Sequence, residues 1–224
     1  MPYDLNLSEL ACSYSVERSR NMASRADIPD ERRRQLIASA RKVIASKGVV
    51  NATLRDVAID AGVSTGIVSY YFHGKQQLIT AAVKAAALDF QRLVAKREAG
   101  AVTPWERLQA HVLAVFDGPL RQRRADLAFW AECWSEAVRA DHIRRAHSER
   151  FRAWLSELTG IIDAGQRTGE FSAPEEAKDL ATFVVCAIDG LWLHSVVDAE
   201  VMAMRGLPEL AVKLTGRVVG APQA

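Results

Sequence analysis

Between Thr53 and Lys75 the chain has few ways to fold. Thr53-Leu-Arg-Asp56 has the form of a capping box, with Asp in place of the usual Glu. Val57, Ala58 and Ala61 follow as a short apolar face closed by Gly62. Ser64 is placed to cap a second short helix over 65–72, and His73-Gly74 breaks the chain before a longer helix opens at Lys75. Short helix, Ala-Gly-Val-Ser turn and short helix make the helix-turn-helix pattern. Ala58 is small where the two helices must cross closely, Gly62 permits a left-handed turn, and Val63 plugs the space between them. Ile67 and Val68 hold the second helix down, which turns Thr65, Gly66, Ser69 and Tyr70 outward. Small and hydroxyl-bearing side chains on an outward helix can meet base edges and phosphates in a major groove. The plainer reading is a three-helix bundle with a glycine turn. The surrounding Arg32, Arg33, Arg34, Arg41, Arg55 and Lys75 favour a nucleic-acid partner.

Helical spacing continues through the rest of the chain. Leu36, Ile37, Ala40, Val43 and Ile44 share one face of a helix that Gly48 is expected to end. Further helices are expected over 75–97, from the Thr103-Pro104 cap to about 116, over 123–138, over 141–165 with an end near Gly165–Gly169, from Pro174 to about 197, and over 207–218. No segment alternates as a strand would, so the chain reads as all-α, with about nine helices. The expected organisation is a tail over 1–28 whose lack of sustained periodicity is consistent with disorder, a three-helix helix-turn-helix head over 29–77 and a six-helix body over 78–224. Met22 offers a second start besides Met1. An apolar share of 49 %, a charged share of 25 % and a net charge of +2 fit a globular chain and exclude collagen-like or wholly disordered ones. The longest apolar stretch, 183–197, is interrupted by Asp189 and His194, and no secretory leader opens the chain. Cys12, Cys133 and Cys186 are odd in number and widely spaced, which suits a reducing, cytoplasmic setting.

The run Gly62-Val-Ser-Thr-Gly-Ile-Val-Ser-Tyr-Tyr-Phe-His-Gly-Lys75 with Leu78 resembles the head of TetR-family transcriptional regulators. Arg32-Arg-Arg-Gln-Leu-Ile37, Ala52-Thr53, Val63–Ile67 and the distant Ala187-Ile-Asp-Gly-Leu-Trp-Leu193 resemble the BetI-type, choline-responsive branch. The likeness runs from about Glu31 to Val218. It implies a homodimer that binds a palindromic double-stranded operator and is released by a small ligand. Carried over by position, Thr65, Gly66, Ser69 and Tyr70 face bases. Thr53, Tyr71 and Lys75 face phosphates, Arg55 reaches either, and the cap Ser64 belongs to the same DNA-facing set. Many members have Tyr where this chain has Ser69, so that contact is expected to pass to Tyr70 or Tyr71.

Two heads on adjacent groove faces require a body that dimerises. The expected surface is the last two helices, with Phe183, Val184, Ala187, Ile188, Leu191 and Val212. The competing reading places these residues in the subunit's own core. A sensor also needs a cavity, and His111, Phe116, Phe129, Trp130, Cys133, Trp134, Phe151, Trp154 and Trp192 are the candidates to line it. Their rings, with Glu132 or Asp189, suit a choline-like cation, while an ordinary aromatic core explains the same residues.

Other classes find little support. No phosphate-cradling glycine string, nucleophile elbow or Cys-x-x-Cys occurs. His142 and His147 miss the spacing of a helical metal pair and are expected on a solvated face. Neither catalysis nor a cofactor or metal is expected. The alternative function is a helical ligand-binding or scaffold protein whose head contacts protein, not DNA.

Overall fold

The computed structural model describes residues 30–198, 200–201 and 206–222. The tail expected over 1–28, with the choice of Met1 or Met22, lies outside them. Among the described residues there are nine helices of seven residues or more and no strand. The first three are α1 (30–51), α2 (Leu54–Asp60) and α3 (Thr65–Tyr71). Six follow: α4 (Lys75–Glu98), α5 (Pro104–Val115), α6 (Leu120–Ala137), α7 (Asp141–Thr168), α8 (Ala177–Val197) and α9 (Leu207–Val219).

Local chemistry sets most helix starts. Thr53 and Asp56 form the expected capping box on α2, and Thr103 and Glu106 form one on α5, with Pro104 in its first turn. Three boundaries differ from expectation by three residues. Gly48 takes a left-handed φ of +80°, yet helical structure continues to residue 51. A Cβ on Gly48 would lie 2.7 Å from Glu132 Oε2, and the Val49 amide donates to that same oxygen at 3.2 Å. α6 opens at Leu120, earlier than expected, because the Pro119 carbonyl accepts from the Gln122 and Arg123 amides. α7 ends at a left-handed Gly169, within its expected close at 165–169. α8 opens at Ala177, after Pro174, because the Ser172 and Ala173 amides are spent on the Gly220 and Val219 carbonyls at the end of α9.

Two apolar clusters make the core. One joins α1–α4 to Phe129, Trp130, Cys133, Ile143, Ala146, Trp192 and Val196 from the body. The other lies among α5, α7, α8 and α9. Arg41 on α1 reinforces the junction by pairing with Asp89 on α4 at 2.7 Å and Asp126 on α6 at 2.9 Å. Its guanidinium also lies 5.6 Å from the Phe129 ring centre. Arg41 is thus committed within the subunit and is not the phosphate contact that its charge suggested. α8 is long and apolar enough to cross a membrane by composition, but Leu180, Ala181, Val184, Val185, Ile188, Trp192 and Val196 are buried in the fold.

Gly165 is a packing residue. A Cβ there would lie 2.2 Å from Cδ2 of Phe171, itself buried. Gly165→Ala is expected to destabilise the protein by about 1–3 kcal/mol from overpacking, a gain in helix propensity offsetting up to about 1 kcal/mol. Thermal melting checks this, and an unchanged midpoint would show that Phe171 yields freely.

Candidate nucleic-acid interface and effector cavity

Ser64 opens α3, accepting from the Ile67 amide at 3.4 Å. The turn before it holds Gly62 at φ +66°, with the Val63 amide donating to the Ala58 carbonyl at 2.9 Å. Val68 and Phe72 are fully buried and fix the rotation of α3 about its axis. The opposite face presents Ser64, Thr65, Gly66, Ser69 and Tyr70 to solvent, Tyr70 with 78 % of its surface exposed. Tyr71 is half-buried against the first cluster and meets the Tyr70 ring edge-on at 5.2 Å. Ile67, expected to hold the helix down, is 40 % exposed, so Val68 and Phe72 anchor α3 instead.

The cations of the head are unequally committed. Lys75 donates from Nζ to the Val50 carbonyl at 2.5 Å, which ties the start of α4 to the end of α1 and leaves two of its three donors. The Thr53 hydroxyl donates to Asp56 Oδ2 at 2.7 Å and accepts from the Asp56 amide at 3.1 Å. Lys47 beside Asp56, with Thr53, holds that carboxyl down at about 2. Arg33 lies over the Phe72 ring at 5.2 Å, Arg34 pairs with Glu31, and Arg32 donates to Gln35. Arg55 is exposed, and no ion pair engages it among the described residues.

In the body, α4–α8 line a partly open cavity of about 160 Å³. Trp130, Trp154 and Trp192 line it, joined by Phe90, Arg123, Arg150 and Asp189. The other sequence candidates pack around it. Trp134 donates from Nε1 to His147 Nε2 at 2.9 Å, and Phe151 stacks on that same imidazole. His147 is therefore half-buried among rings and not on a solvated face. Phe129 and Phe116 are buried in the two apolar clusters. Cys133 is fully buried, and burial pushes its thiol up to about 12, which keeps it protonated and inert. Glu132 serves the end of α1 and not the cavity. Asp189 does face the cavity, and burial raises its carboxyl to about 6 although Arg150 opposes the shift. Sequence reasoning missed Arg150. Its guanidinium lies 4.5 Å from the Trp130 ring centre, 5.8 Å from Trp154 and 5.9 Å from Phe90.

His111 supports the cavity from behind. Trp154 Nε1 donates to its Nδ1 at 3.1 Å, and its Nε2 lies 3.3 Å from Glu98 Oε1. Indole nitrogen only donates, so Nδ1 must accept and the imidazole is neutral, with its proton toward Glu98. Burial lowers the His111 pKa despite Glu98. The unfolded chain therefore takes up a proton on acidification that the folded chain resists, and stability should fall as pH drops through about 6.5. His111→Gln is expected to lower the melting point at pH 8 and to flatten its decline between pH 7 and pH 5. An unchanged pH slope would assign the decline to other groups.

α8 and α9 leave an apolar groove on the outer surface. Phe183 is 59 % exposed and Leu214 is 42 % exposed along it, with Cys186, Ala187, Leu191, Leu210 and Val218 between. Of the residues expected at a dimer surface, Phe183, Ala187 and Leu191 offer exposed or half-exposed apolar surface there. Val184 and Ile188 form its buried floor. Val212 faces elsewhere, toward Trp105 and α5. Sequence reasoning missed Leu210 and Leu214.

Residues 36–82 match the family model for bacterial regulatory proteins of the tetR family, and residues 104–218 match that for BetI-type transcriptional repressors, C-terminal. The HTH-type transcriptional regulator BetI of Paraburkholderia phytofirmans is 33 % identical over 175 residues, 75 % of this chain and 84 % of that protein. BetI 1 of Chromohalobacter salexigens is 31 % identical over 74 % of this chain and 79 % of its own. A transcriptional regulator from Pseudomonas aeruginosa PAO1 superposes with a TM-score of 0.74 at 25 % identity, covering 86 % of this chain and 90 % of that one. One from Saccharomonospora viridis, solved in complex with choline, gives 0.69 at 25 % identity, covering 85 % and 96 %. With an exposed recognition helix in place and both halves of the chain matched, this chain belongs to the TetR family of bacterial regulators and is a DNA-binding transcriptional repressor of the BetI type.

Proposed function

We propose that two copies of this chain grip one operator of two-fold symmetry, and that a small molecule in the α4–α8 cavity releases them. The observation that carries the proposal is the face of α3, where Thr65, Gly66, Ser69 and Tyr70 stand exposed over buried Val68 and Phe72. In this reading those four meet base edges. Ser64, Thr53, Tyr71 and Lys75 meet phosphates, and Arg55 reaches either. Residues 29–77 act as the DNA-binding unit and 78–224 as the effector-binding and dimerising unit. The groove between α8 and α9 pairs with its copy into a four-helix bundle, which holds the two recognition helices one DNA turn apart, roughly 34–36 Å. The protein works in the cytoplasm, and its task needs no catalytic centre.

Release requires the cavity to move the head. α4 connects them: Leu78, Ile79 and Ala82 are buried in the head cluster, and Asp89 and Phe90 line the cavity on the same helix. Arg41 bridges the head to Asp89 and Asp126, both at the cavity wall. A coupling of about 1–3 kcal/mol between effector and operator suffices for a 5- to 150-fold change in affinity. A choline-like cation is one candidate effector, suggested by the choline held in the S. viridis relative.

The test is a gel shift with the DNA upstream of the protein's own gene, alongside sedimentation of the protein. A specific shift by a dimer is expected. Failure to shift that DNA at low salt would end the operator reading, and a monomer at the shifting concentration would end the two-fold one.

A further inference from the structure

Two arginines on the wall of the effector cavity, Arg123 and Arg150, have no ion pair among the described residues. Asp89 and Asp126 are taken by Arg41, and Asp117 by Arg97. Asp189 is the lining carboxylate without an ion pair of its own. The Nε atoms of these two arginines are buried and have no hydrogen-bond partner among the described residues. Buried polar groups are nearly always partnered in folded proteins, and a charged donor left bare is the costlier exception. The other guanidinium N–H groups of Arg123 and Arg150, which no hydrogen bond within the described residues engages, are the donors open to an acceptor in the cavity. The π faces that would draw a quaternary ammonium already hold a cation, since the Arg150 guanidinium lies 4.5 Å from the Trp130 centre. A second cation there would meet like charge in a partly desolvated site. A guanidinium presents parallel N–H donors that match a carboxylate, and one stacked on Trp130 is already oriented to receive it.

Resting on the reading of this cavity as the effector site, we propose that it binds a compact monocarboxylate whose carboxylate sits on Arg123 and Arg150 and whose apolar body packs against Phe90, Trp130 and Trp154. Size sets the scale of that body. The cavity holds about 160 Å³, and an apolar protein cavity of about 150 Å³ accommodates a benzene ring. A single ring or a short branched chain fits within that volume.

Three probes of similar bulk separate charge from shape: phenylacetate, its neutral amide phenylacetamide, and benzyltrimethylammonium, with choline as a fourth. Each is titrated calorimetrically into the full chain, with quenching of tryptophan fluorescence as a second readout. Phenylacetate is expected to bind at least tenfold more tightly than the amide, and neither cation to bind detectably at millimolar concentration. Arg123→Gln, on the half-buried start of α6, and Arg150→Gln are each expected to abolish the tenfold preference for acid over amide. Should Arg150→Gln fail to fold by circular dichroism, Arg123→Gln alone decides. Equal affinity for acid and amide, preferential binding of either cation, an unchanged preference in Arg123→Gln, or no binding by any probe would each overturn the proposal. A gel shift without any probe keeps the two questions apart. Operator binding without anion preference defeats only the ligand class, and anion preference without operator binding defeats only the repressor reading.

Discussion

Gly66→Glu is expected to make the protein slightly more stable and to lower its operator affinity at least 100-fold. Gly66 lies in the first turn of α3 and is exposed, and a Cβ there would meet nothing closer than the Ser64 hydroxyl at 3.7 Å. Any side chain restricts the unfolded chain more than glycine does, which favours the helix by about 0.5–1 kcal/mol. A carboxylate in the first turn also faces the positive end of the helix dipole, a further gain of about 0.3–1 kcal/mol. The same carboxylate would stand where the α3 face approaches DNA, beside Thr65 and Ser69, and would be driven against phosphates. Stability and binding thus move in opposite directions, which a general folding defect cannot do. Thermal melting and a gel shift on one preparation check both. Retained operator binding in a folded Gly66→Glu protein would show that DNA meets another face.

The head was legible because its determinants are local. The Thr53 cap reaches Asp56, Ser64 reaches Ile67, and Gly62 turns the chain between them, all within a few residues. Partners distant in sequence were not legible. Arg41 reads as a phosphate contact until Asp89 and Asp126 are brought to it across 48 and 85 residues. Glu132 reads as a counter-ion for the cavity until the α1 terminus arrives at its carboxylate. Arg150 is a different case, because a signal was present. Ile143, Ala146, Arg150, Trp154 and Leu158 recur at three- and four-residue steps, and all but Arg150 are buried residues of α7. A charged residue in phase with such a stripe is directed inward, and its surroundings in a run of charges concealed this. Among the aromatic candidates, sequence spacing could not separate Trp130, Trp154 and Trp192, which line the cavity, from Trp134 and Phe151, which pack beside it on His147.

Phe183→Asp is expected to yield a folded monomer that has lost 100-fold or more of its operator affinity. Phe183 sits on α8 with 59 % of its surface exposed, so it contributes little to the subunit's own core. At a two-fold surface the substitution acts twice, removing two apolar side chains and placing two carboxylates in the groove between α8 and α9. Full burial of a phenylalanine contributes about 1.5–3 kcal/mol, and an unpartnered charge at such a surface adds its desolvation cost to that loss. The consequence for DNA is geometric. A dimer presents its second head to the second half-site as an intramolecular event, and linked sites of this kind gain about 10²–10⁴ in affinity over single ones. A monomer forfeits that factor although α3 is untouched, and its residual binding should be the same on a half-site and on a full operator. Sedimentation, circular dichroism and gel shifts on both DNAs test each step. A Phe183→Asp protein that remains dimeric and keeps full affinity would move the subunit interface away from α8 and α9. A folded monomer that retained full affinity would show that one head suffices and would remove the need for two-fold symmetry in the operator.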